Sequence, residues 1–551
     1  MTDRLWIPAL DHDGRPRPVS LRGAFAEAAE LRTIVGDLPT QTFAILRLLL
    51  AVLHRAVEGP EDERAWRGLW QSPGLPVDAI DDYLAEFPDR FDLLHPVTPF
   101  YQVADLETGK GDVTGLDRLI ADVPTGAPYL TNRLAGGLDR ITPAEAARWV
   151  VHCQAYDTSG IKSGAVGDPR VKGGKGYPIG TGICGNLGGI FLEGQNLRET
   201  LLLNLIPQDN DYLQSDPRDA PVWERPPHGP AEELAQHRGP YGLLSLYTWQ
   251  ARRIRLVGDE NWITGALVTN GDKLGWENRN RLEPMSGWRR SKNQEKALKL
   301  PQVYMPALHD PTRALWRGLG SLLTATPAPR GGADGPARVA PVLIQWLARL
   351  RNAGHLDASY RVTTRAVGVV YGTQQSVIDE IYHDSLTMTA QAFHPAGELR
   401  TTIVDSAADA ESAATALRTL AANLCRASGG TGREQKDPPT VAAVRASENA
   451  FAALDQQFRR WLGQLTPATD PAQARSQWQA TAYRIVSRLG ADLVAQAGPH
   501  AWAGRYVDKD KYLSSPLADL FFRQALRRAL PLAADRETTP GDNLDLQEVP
   551  A

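Results

Sequence analysis

Residues 160–194 read GIKSGAVGDPRVKGGKGYPIGTGICGNLGGIFLEG, close to one glycine in three. Glycine inside a helix or strand costs about 0.5–1 kcal/mol in extra chain entropy, so a run this dense is neither. It is loop, and it sets the character of the chain around it. Up to about residue 385 the sequence is mixed, with short patterns broken by proline and aromatic residues. Beyond that point glycine becomes rare, and alanine and leucine dominate. The fold class expected from this contrast is α+β. A large mixed α/β N-terminal domain covers residues 1–385, a C-terminal four-helix bundle covers 386–535, and 536–551 form a polar, flexible tail.

A backbone without Cβ atoms can approach a ligand closely. The loop's cations, Lys162, Arg170, Lys172 and Lys175, outnumber its acids, Asp168 and Glu193. Exposed N–H groups with sparse positive charge suit an anion, phosphate above all. That phosphate belongs either to a nucleotide cofactor or to a nucleic acid. Net charge is −4 over 551 residues, which excludes coating of nucleic acid by bulk charge and leaves local patches. Apolar and charged fractions of 42% and 23% are those of an ordinary globular protein long enough for two domains. The cysteines, Cys153, Cys184 and Cys425, are odd in number and far apart. They give no disulfide framework and no zinc-ligand spacing, and they point to a reducing compartment. The opening MTDRLWIPALDHDG is not a signal peptide. The longest apolar run, 44–53, is broken by Arg47 and is half the length of a membrane span. A cytoplasmic protein is expected.

One helix is clear over 40–55, with Phe43, Leu46, Leu50 and Leu53 on one face and Asp37-Leu38-Pro39-Thr40 as a start signal. Residues 197–205 (LRETLLLNL) are a buried helix or strand, which periodicity does not separate. Residues 249–257 (WQARRIRLV) predict a strand, 324–338 (TATPAPRGGADGPAR) a disordered surface loop, and 341–352 a short helix. The β-branched run 360–371 (YRVTTRAVGVVY) predicts a strand, Gly372-Thr373 a turn, and 376–388 a second extended run. Together they form a hairpin whose tip carries Gln374 and Gln375. Four amphipathic patterns follow: 410–427, 440–465, one capped by Asp470-Pro471 and running through Trp478, Ile485 and Leu493, and 515–530. Four such helices with modest connections make a bundle.

Gly180-Thr-Gly182-Ile-Cys-Gly185 is a literal GxGxxG, but a dinucleotide site needs a strand before it and a helix opening on it. Lys175-Gly-Tyr-Pro178 is too broken for that strand, and Asn186-Leu-Gly-Gly189 too glycine-rich for that helix. A phosphate-binding P-loop at Gly174-Lys175 fails as well, with Pro169 at the upstream glycine position and Gly176 in place of Ser or Thr. His383-Asp384 resembles half of a metal site without further ligands and reads as a hydrogen-bonded surface pair. Ser163 lacks the GxSxG spacing of a nucleophile elbow. No constellation for acid–base or nucleophilic catalysis emerges, so a non-enzyme without cofactor is expected. The run 288–296 carries Arg289, Arg290, Lys292 and Lys296 and taken alone reads as a solvated charged loop. Beside a glycine backbone and an amide-bearing tip it supplies the parts that grip a duplex and read its edges.

The chain resembles a known family: the large subunit (CasA) of the type I-E CRISPR surveillance complex, Cascade. The blocks that carry the resemblance are Trp6-Ile7-Pro8, HPVTPFYQ at 95–102, GIKSG at 160–164, LRETLLLN at 197–204, Trp249-Gln250 with Ile254-Arg255-Leu256, and 371–384. The resemblance implies a non-catalytic DNA-binding subunit. Such a subunit recognises the protospacer-adjacent motif (PAM) on foreign duplex DNA from the minor groove and starts strand separation. It then helps hold the displaced strand and recruits a helicase–nuclease. Guide RNA and the other Cascade subunits are its implied partners. Three elements are implicated. Thr158, Ser159 and Gly160, with Lys162 beside them, fall on a glycine loop. Arg289, Arg290, Lys292 and Asn293 fall on a lysine finger, with Lys292 the best match. Gln374, Gln375 and Ser376 fall on a glutamine wedge led by Gln375. Two departures stand out: the paired cysteines of some members are absent, and the family's Asn-Gln-Ala is Gln374-Gln375-Ser376 here. Outside the resemblance, a nucleotide-dependent enzyme and an RNA-contacting assembly protein remain the alternatives.

Overall fold

Helix α1 (Pro39–Ala56) passes through the middle of the N-terminal core, and all but one of residues 40–54 are buried. A helix buried all round tolerates a charge only if the charge is paired. Arg47, the cation that interrupts the apolar run, donates from both Nη atoms to Glu283 at 2.9 and 2.8 Å and lies 4.4 Å from the centroid of Tyr247. The helix starts on Pro39 at its first turn and not through Asp37. Leu38 is the N-cap and makes no side-chain cap, while Asp37 N–H donates to Gln41.

The structure, a computed structural model, describes residues 1–111, 113–123, 133, 138–207, 211–214, 216–233, 238–323, 335–429, 438–508 and 511–534. The expected tail 536–551 and most of the expected loop 324–338 lie outside these residues. The end of that loop is a strand, Arg338–Val339, which overturns the expectation there. The residues fall into two units, Met1–Leu315 with Ser321–Leu386, and Trp316–Gly320 with Thr387–Ala551.

The first unit is mixed α/β with small sheets. Helix α2 (Pro143–Tyr156) opens on Thr142, whose Oγ1 accepts from Glu145 N–H at 3.2 Å, and buries every residue from Trp149 to Tyr156. After it come the two-residue strands β1 (Lys162–Ser163) and β2 (Lys175–Gly176), paired antiparallel, then β3 (Gly189–Glu193). Residues 197–203 are helix α3 (Leu197–Leu203), capped by Asn196 Oδ1. Strand β4 (Arg252–Gly258) pairs with β5 (Ile263–Asn270), so the predicted strand starts three residues late. Strand β6 (Trp288–Arg290) is the centre of a three-stranded sheet between Arg338–Val339 and Tyr304–Pro306. The helix expected at 341–352 is Val342–Asn352. The predicted hairpin is present as β7 (Arg361–Tyr371) and β8 (Ile378–Thr389), and β7 also pairs with β3 in the order β8-β7-β3.

The second unit is the four-helix bundle: α4 (Glu398–Ser428), α5 (Pro438–Gln464), α6 (Pro471–Ala495) and α7 (Ser515–Ala529). Its core is aromatic. Phe458 stacks on Trp316 at 4.6 Å and meets Trp478 edge-on at 5.0 Å. The indole of Trp478 donates to the Ser406 carbonyl at 2.8 Å. Asp470 caps α6 by accepting from Gln473 N–H at 2.7 Å, with Pro471 at the first helical position.

Candidate nucleic-acid interface

The tip between β7 and β8 is a single turn of 3-10 helix, Thr373–Gln375. Gln374 and Gln375 both lie in the left-handed region, at φ 55° and 56°. An L-residue with a side chain pays roughly 1–2 kcal/mol there, so two in succession must be held by their surroundings. Gly372 N–H donates to Val377 O at 3.0 Å, Gln375 N–H to Gly372 O at 2.9 Å, and Ser376 Oγ to Thr373 O at 2.8 Å. Gln374 is exposed at the apex. Gln375 is half-buried, and its amide reaches Asn186 Oδ1 at 3.4 Å.

The predicted glycine loop leaves the C-terminus of α2, where Asp157 N–H caps onto Cys153 O at 3.1 Å. Ser159 N–H then donates to the Gln375 carbonyl at 2.8 Å. This bond fastens loop and hairpin tip together, although they are more than 200 residues apart in sequence. Gly160 sits beside Ser376, and an added Cβ would meet that side chain only at 3.9 Å. Neither packing nor a left-handed φ requires glycine at 160. The contrast lies within the same segment. A Cβ at Gly182 would collide with the backbone of 155–156, one at Gly188 with the Ala307 carbonyl, and one at Gly185 would lie 2.5 Å from Tyr371 Oη. Of the GxGxxG glycines, Gly182 and Gly185 are therefore packing residues, while Gly180 has open space and a left-handed φ of 114°.

Beneath the loop lies an ionic pedestal that no sequence pattern announced. Arg252, fully buried on β4, donates Nε to Asp157 and Nη2 to the carbonyls of Thr158 at 2.9 Å and Gly180 at 2.8 Å. Lys162 Nζ sits 2.5 Å from Asp157 with a side chain only 10% exposed. Lys162 is thus committed inward and not offered to a ligand. Arg170 is likewise paired with Asp168 and Glu232. Lys172 and Lys175 remain exposed around the Gly173-Gly174 turn. Burial would push the Asp157 carboxyl up, but the neighbouring Lys162 and Arg252 charges outweigh it and hold it below the ordinary 3.8. A cavity of about 80 Å³ opens beside this cluster, lined by His152, Thr158, Lys162 and Val377 among others.

The third predicted group lies on a different sheet. Residues 288–298 are not a loop. Arg289 projects to solvent from β6, Arg290 pairs with Glu295 at 2.6 Å, and Ser291 caps a short helix, Lys292–Leu298, that buries no residue. The signal was Ser291 followed three residues later by Gln294, whose N–H donates to Ser291 Oγ. Lys292 and Asn293 are exposed. Ile190 N–H donates to Met285 O at 2.7 Å, which ties this stretch of chain to β3 and so to the sheet that bears the tip. The structure therefore joins 158–160 to 374–376 directly and carries Arg289 and Arg290 on another sheet, with Lys292 and Asn293 on the short helix that follows it.

His383 is exposed and lies 3.4 Å from Arg365, while Asp384 accepts from Leu315 N–H at 2.7 Å. The pair is structural. Among the described residues no cluster of three His, Cys, Asp or Glu side chains could hold a metal, and no helix is long and apolar enough to cross a membrane.

The family model for the CRISPR-associated protein Cse1 matches residues 1–489. The chain belongs to the Cse1 family. The solved Cse1 of Thermobifida fusca is 49% identical, with a TM-score of 0.88 over 97% of this chain and 98% of that one. The Cse1 of Acidimicrobium ferrooxidans is 29% identical, with a TM-score of 0.78 over the same shares. A curated CRISPR-associated protein CasA/Cse1 from Thermus thermophilus is 38% identical over 268 residues. That alignment covers 47% of this chain, which spans about half (49%) of the curated relative's length. Membership agrees with the α+β architecture and with the resemblance read from the motif blocks.

Proposed function

We propose that this chain is the non-catalytic, DNA-binding large subunit of a type I-E Cascade complex. In this reading it recognises the PAM on foreign double-stranded DNA, initiates duplex opening and R-loop formation, and recruits the helicase–nuclease that cuts. It works in the cytoplasm with guide RNA and the other Cascade subunits in antiviral defence. The observation that carries the reading is the Ser159 N–H to Gln375 carbonyl bond, which makes one body of a loop and a strained tip. A left-handed Gln374-Gln375 pair costs stability without an evident return inside the chain. Gly160 likewise has no internal need for its missing Cβ. Both features make sense if a duplex approaches this edge. The Gly160 backbone then has room against a groove, and a glutamine amide, with donors and acceptors both, can engage bases as they unstack.

The minor groove presents a degenerate code, so a reader there accepts several related motifs. Unstacking a base step costs a few kcal/mol, offset by contacts to the opened strands. Sequence specificity then comes from guide pairing, by analogy with other RNA-guided systems. Lys292, Asn293 and Arg289 are the exposed finger candidates in this reading; Lys162 acts from below by holding Asp157.

The test is target binding by guide-loaded Cascade assembled with this chain, on duplexes that differ only in the PAM. Lys292→Ala should weaken binding, and the log–log salt slope should flatten by about 0.9 for one lost phosphate contact. Unchanged affinity and slope for Lys292→Ala and Arg289→Ala would remove the finger. Equal binding to targets with and without a PAM would remove the reading as a whole. No cleavage is expected from the chain with magnesium, manganese or zinc.

A further inference from the structure

Gln375, the half-buried member of the tip, has one side-chain partner among the described residues. Its Nε2 donates to Asn186 Oδ1 at 3.4 Å, and its Oε1 accepts no hydrogen bond. The direction of such an amide is set by whatever fixes the acceptor it donates to, and here that is Asn186.

Asn186 is itself oriented. Its Nδ2 donates to Thr181 Oγ1 at 3.1 Å, and Thr181 Oγ1 donates to the Gly182 carbonyl at 3.2 Å. A hydroxyl has one proton, so Thr181 meets Asn186 as an acceptor. With Nδ2 committed to Thr181, Asn186 turns its oxygen to Gln375. The relay runs in one direction, from Gln375 through Asn186 and Thr181 to Gly182.

The base of the relay is fixed. Residues 181–186 lie on the C-terminal end of α2, where the N–H groups of Gly182, Ile183 and Cys184 donate to the carbonyls of Asp157, Gln154 and Ala155 at 2.8, 3.0 and 2.7 Å. A helix end leaves such carbonyls without intrahelical partners. Thr181 is buried, and a Cβ on Gly185 would lie 2.5 Å from both Thr181 Oγ1 and Tyr371 Oη. Tyr371, the last residue of β7, donates Oη to the Tyr156 carbonyl at 2.8 Å. The strand that leads into the tip is thus bonded to the same helix end as the turn that carries Asn186. A flexible side chain loses rotamer freedom when it is ordered, and a contact made beforehand removes part of that cost from the binding step.

We propose that Asn186, anchored by Thr181, is the positioning residue for Gln375. It holds the glutamine amide in place before a duplex arrives and leaves Oε1 free to accept from it; this rests on the reading of Gln375 given above. The test is R-loop rate, by permanganate footprinting, with guide-loaded Cascade assembled with this chain. Asn186→Leu keeps the size of the side chain and removes both polar atoms. It should slow opening of an intact duplex about 2- to 12-fold, the effect of leaving one flexible side chain to be ordered at the binding step. Thr181→Val should slow it as well, because Asn186 loses its anchor, whereas Thr181→Ser keeps the hydroxyl and should open at the wild-type rate. The Thr181 pair decides the matter if Asn186→Leu does not assemble. On a target already unpaired beside the PAM the defects should vanish, which a general loss of structure would not produce. In a Gln375→Ala background Asn186→Leu should add nothing, since the group it positions is gone. Wild-type opening by Asn186→Leu and Thr181→Val, or equal slowing in both backgrounds, would overturn the proposal. So would faster opening, which would mean that the contact restrains the glutamine. If Gln375→Ala slows opening while Asn186→Leu does not, only the positioning role falls; if Gln375→Ala has no effect, the reading of the tip falls with it.

Discussion

Replacing Arg252 by methionine tests the ionic pedestal most sharply. Methionine keeps much of the apolar stem and removes every donor. Asp157 then keeps only Lys162, at 2.5 Å, and the carbonyls of Thr158 and Gly180 lose their donor. Removing one partner of a buried pair costs about 3–5 kcal/mol. Lys162 still neutralises part of the charge, which pulls the cost toward the lower end. An orphaned buried carbonyl adds about 1–3 kcal/mol unless water reaches it. The cavity of about 80 Å³ beside Thr158 is large enough to admit water there. The net expectation is about 3–5 kcal/mol of lost stability, against about 1–3 kcal/mol for Lys162→Met, where Arg252 remains in place. Adding Asp157→Asn to Arg252→Met should recover part of the loss, because the stranded charge disappears. The assay is urea unfolding of the intact chain followed by tryptophan fluorescence. The Asp157 carboxyl is held below 3.8, so the pair's contribution is complete above that pH and fades only as pH falls through the folded value. The difference between wild type and Arg252→Met should therefore be flat from pH 5 to 8. A cost under about 1 kcal/mol, or a double mutant equal to the sum of the singles, would refute the pedestal.

Buried His54 and His152 are held neutral, chiefly by burial, with values of about 3 against an ordinary 6.5. The unfolded chain therefore binds protons first as pH falls, and stability should drop by about 2 kcal/mol per histidine between pH 7.5 and 5. His54→Leu should remove that histidine's share, about 2 kcal/mol, from the drop seen in urea titrations across the range; an unchanged drop contradicts it. Gly188→Ala should cost about 1–3 kcal/mol through collision with the Ala307 carbonyl, whereas Gly160→Ala should leave unfolding unchanged and weaken duplex binding by the assembled complex. Gln374→Gly should relieve left-handed strain of about 1 kcal/mol, so the thermal midpoint holds or rises while duplex opening slows.

The hairpin was legible because β7 buries alternate residues from Val362 to Ala366, which is the period of a half-covered strand. Helix α4 was read only from 410, twelve residues late. Its first turns bury Thr402, Ser406 and Asp409 alongside Leu399, Ile403 and Ala407, with Asp409 held by Arg475 and Gln479, so polar residues dilute the apolar stripe there. Helix α2 escaped for the opposite reason. It is buried nearly all round and shows no polar face, although Thr142-Pro143 and Glu145 marked its start. At the site, the turn and the two glutamines could be read locally. The junction of Ser159 with Gln375, and of Asp157 with Arg252, could not, because only the folded chain decides which carboxylate a lysine or arginine finds. That is why Lys162 looked like a free cation.

The duplex-opening role of the tip is tested most directly by R-loop rates, measured by permanganate footprinting with guide-loaded Cascade carrying Gln375→Ala. The targets are one intact duplex and one already unpaired beside the PAM. Slow opening is predicted on the intact duplex, with near-complete rescue on the pre-opened one, because the unstacking cost of a few kcal/mol is then already met. Equal defects on both targets, or none on either, would mean that the glutamine tip does not open DNA.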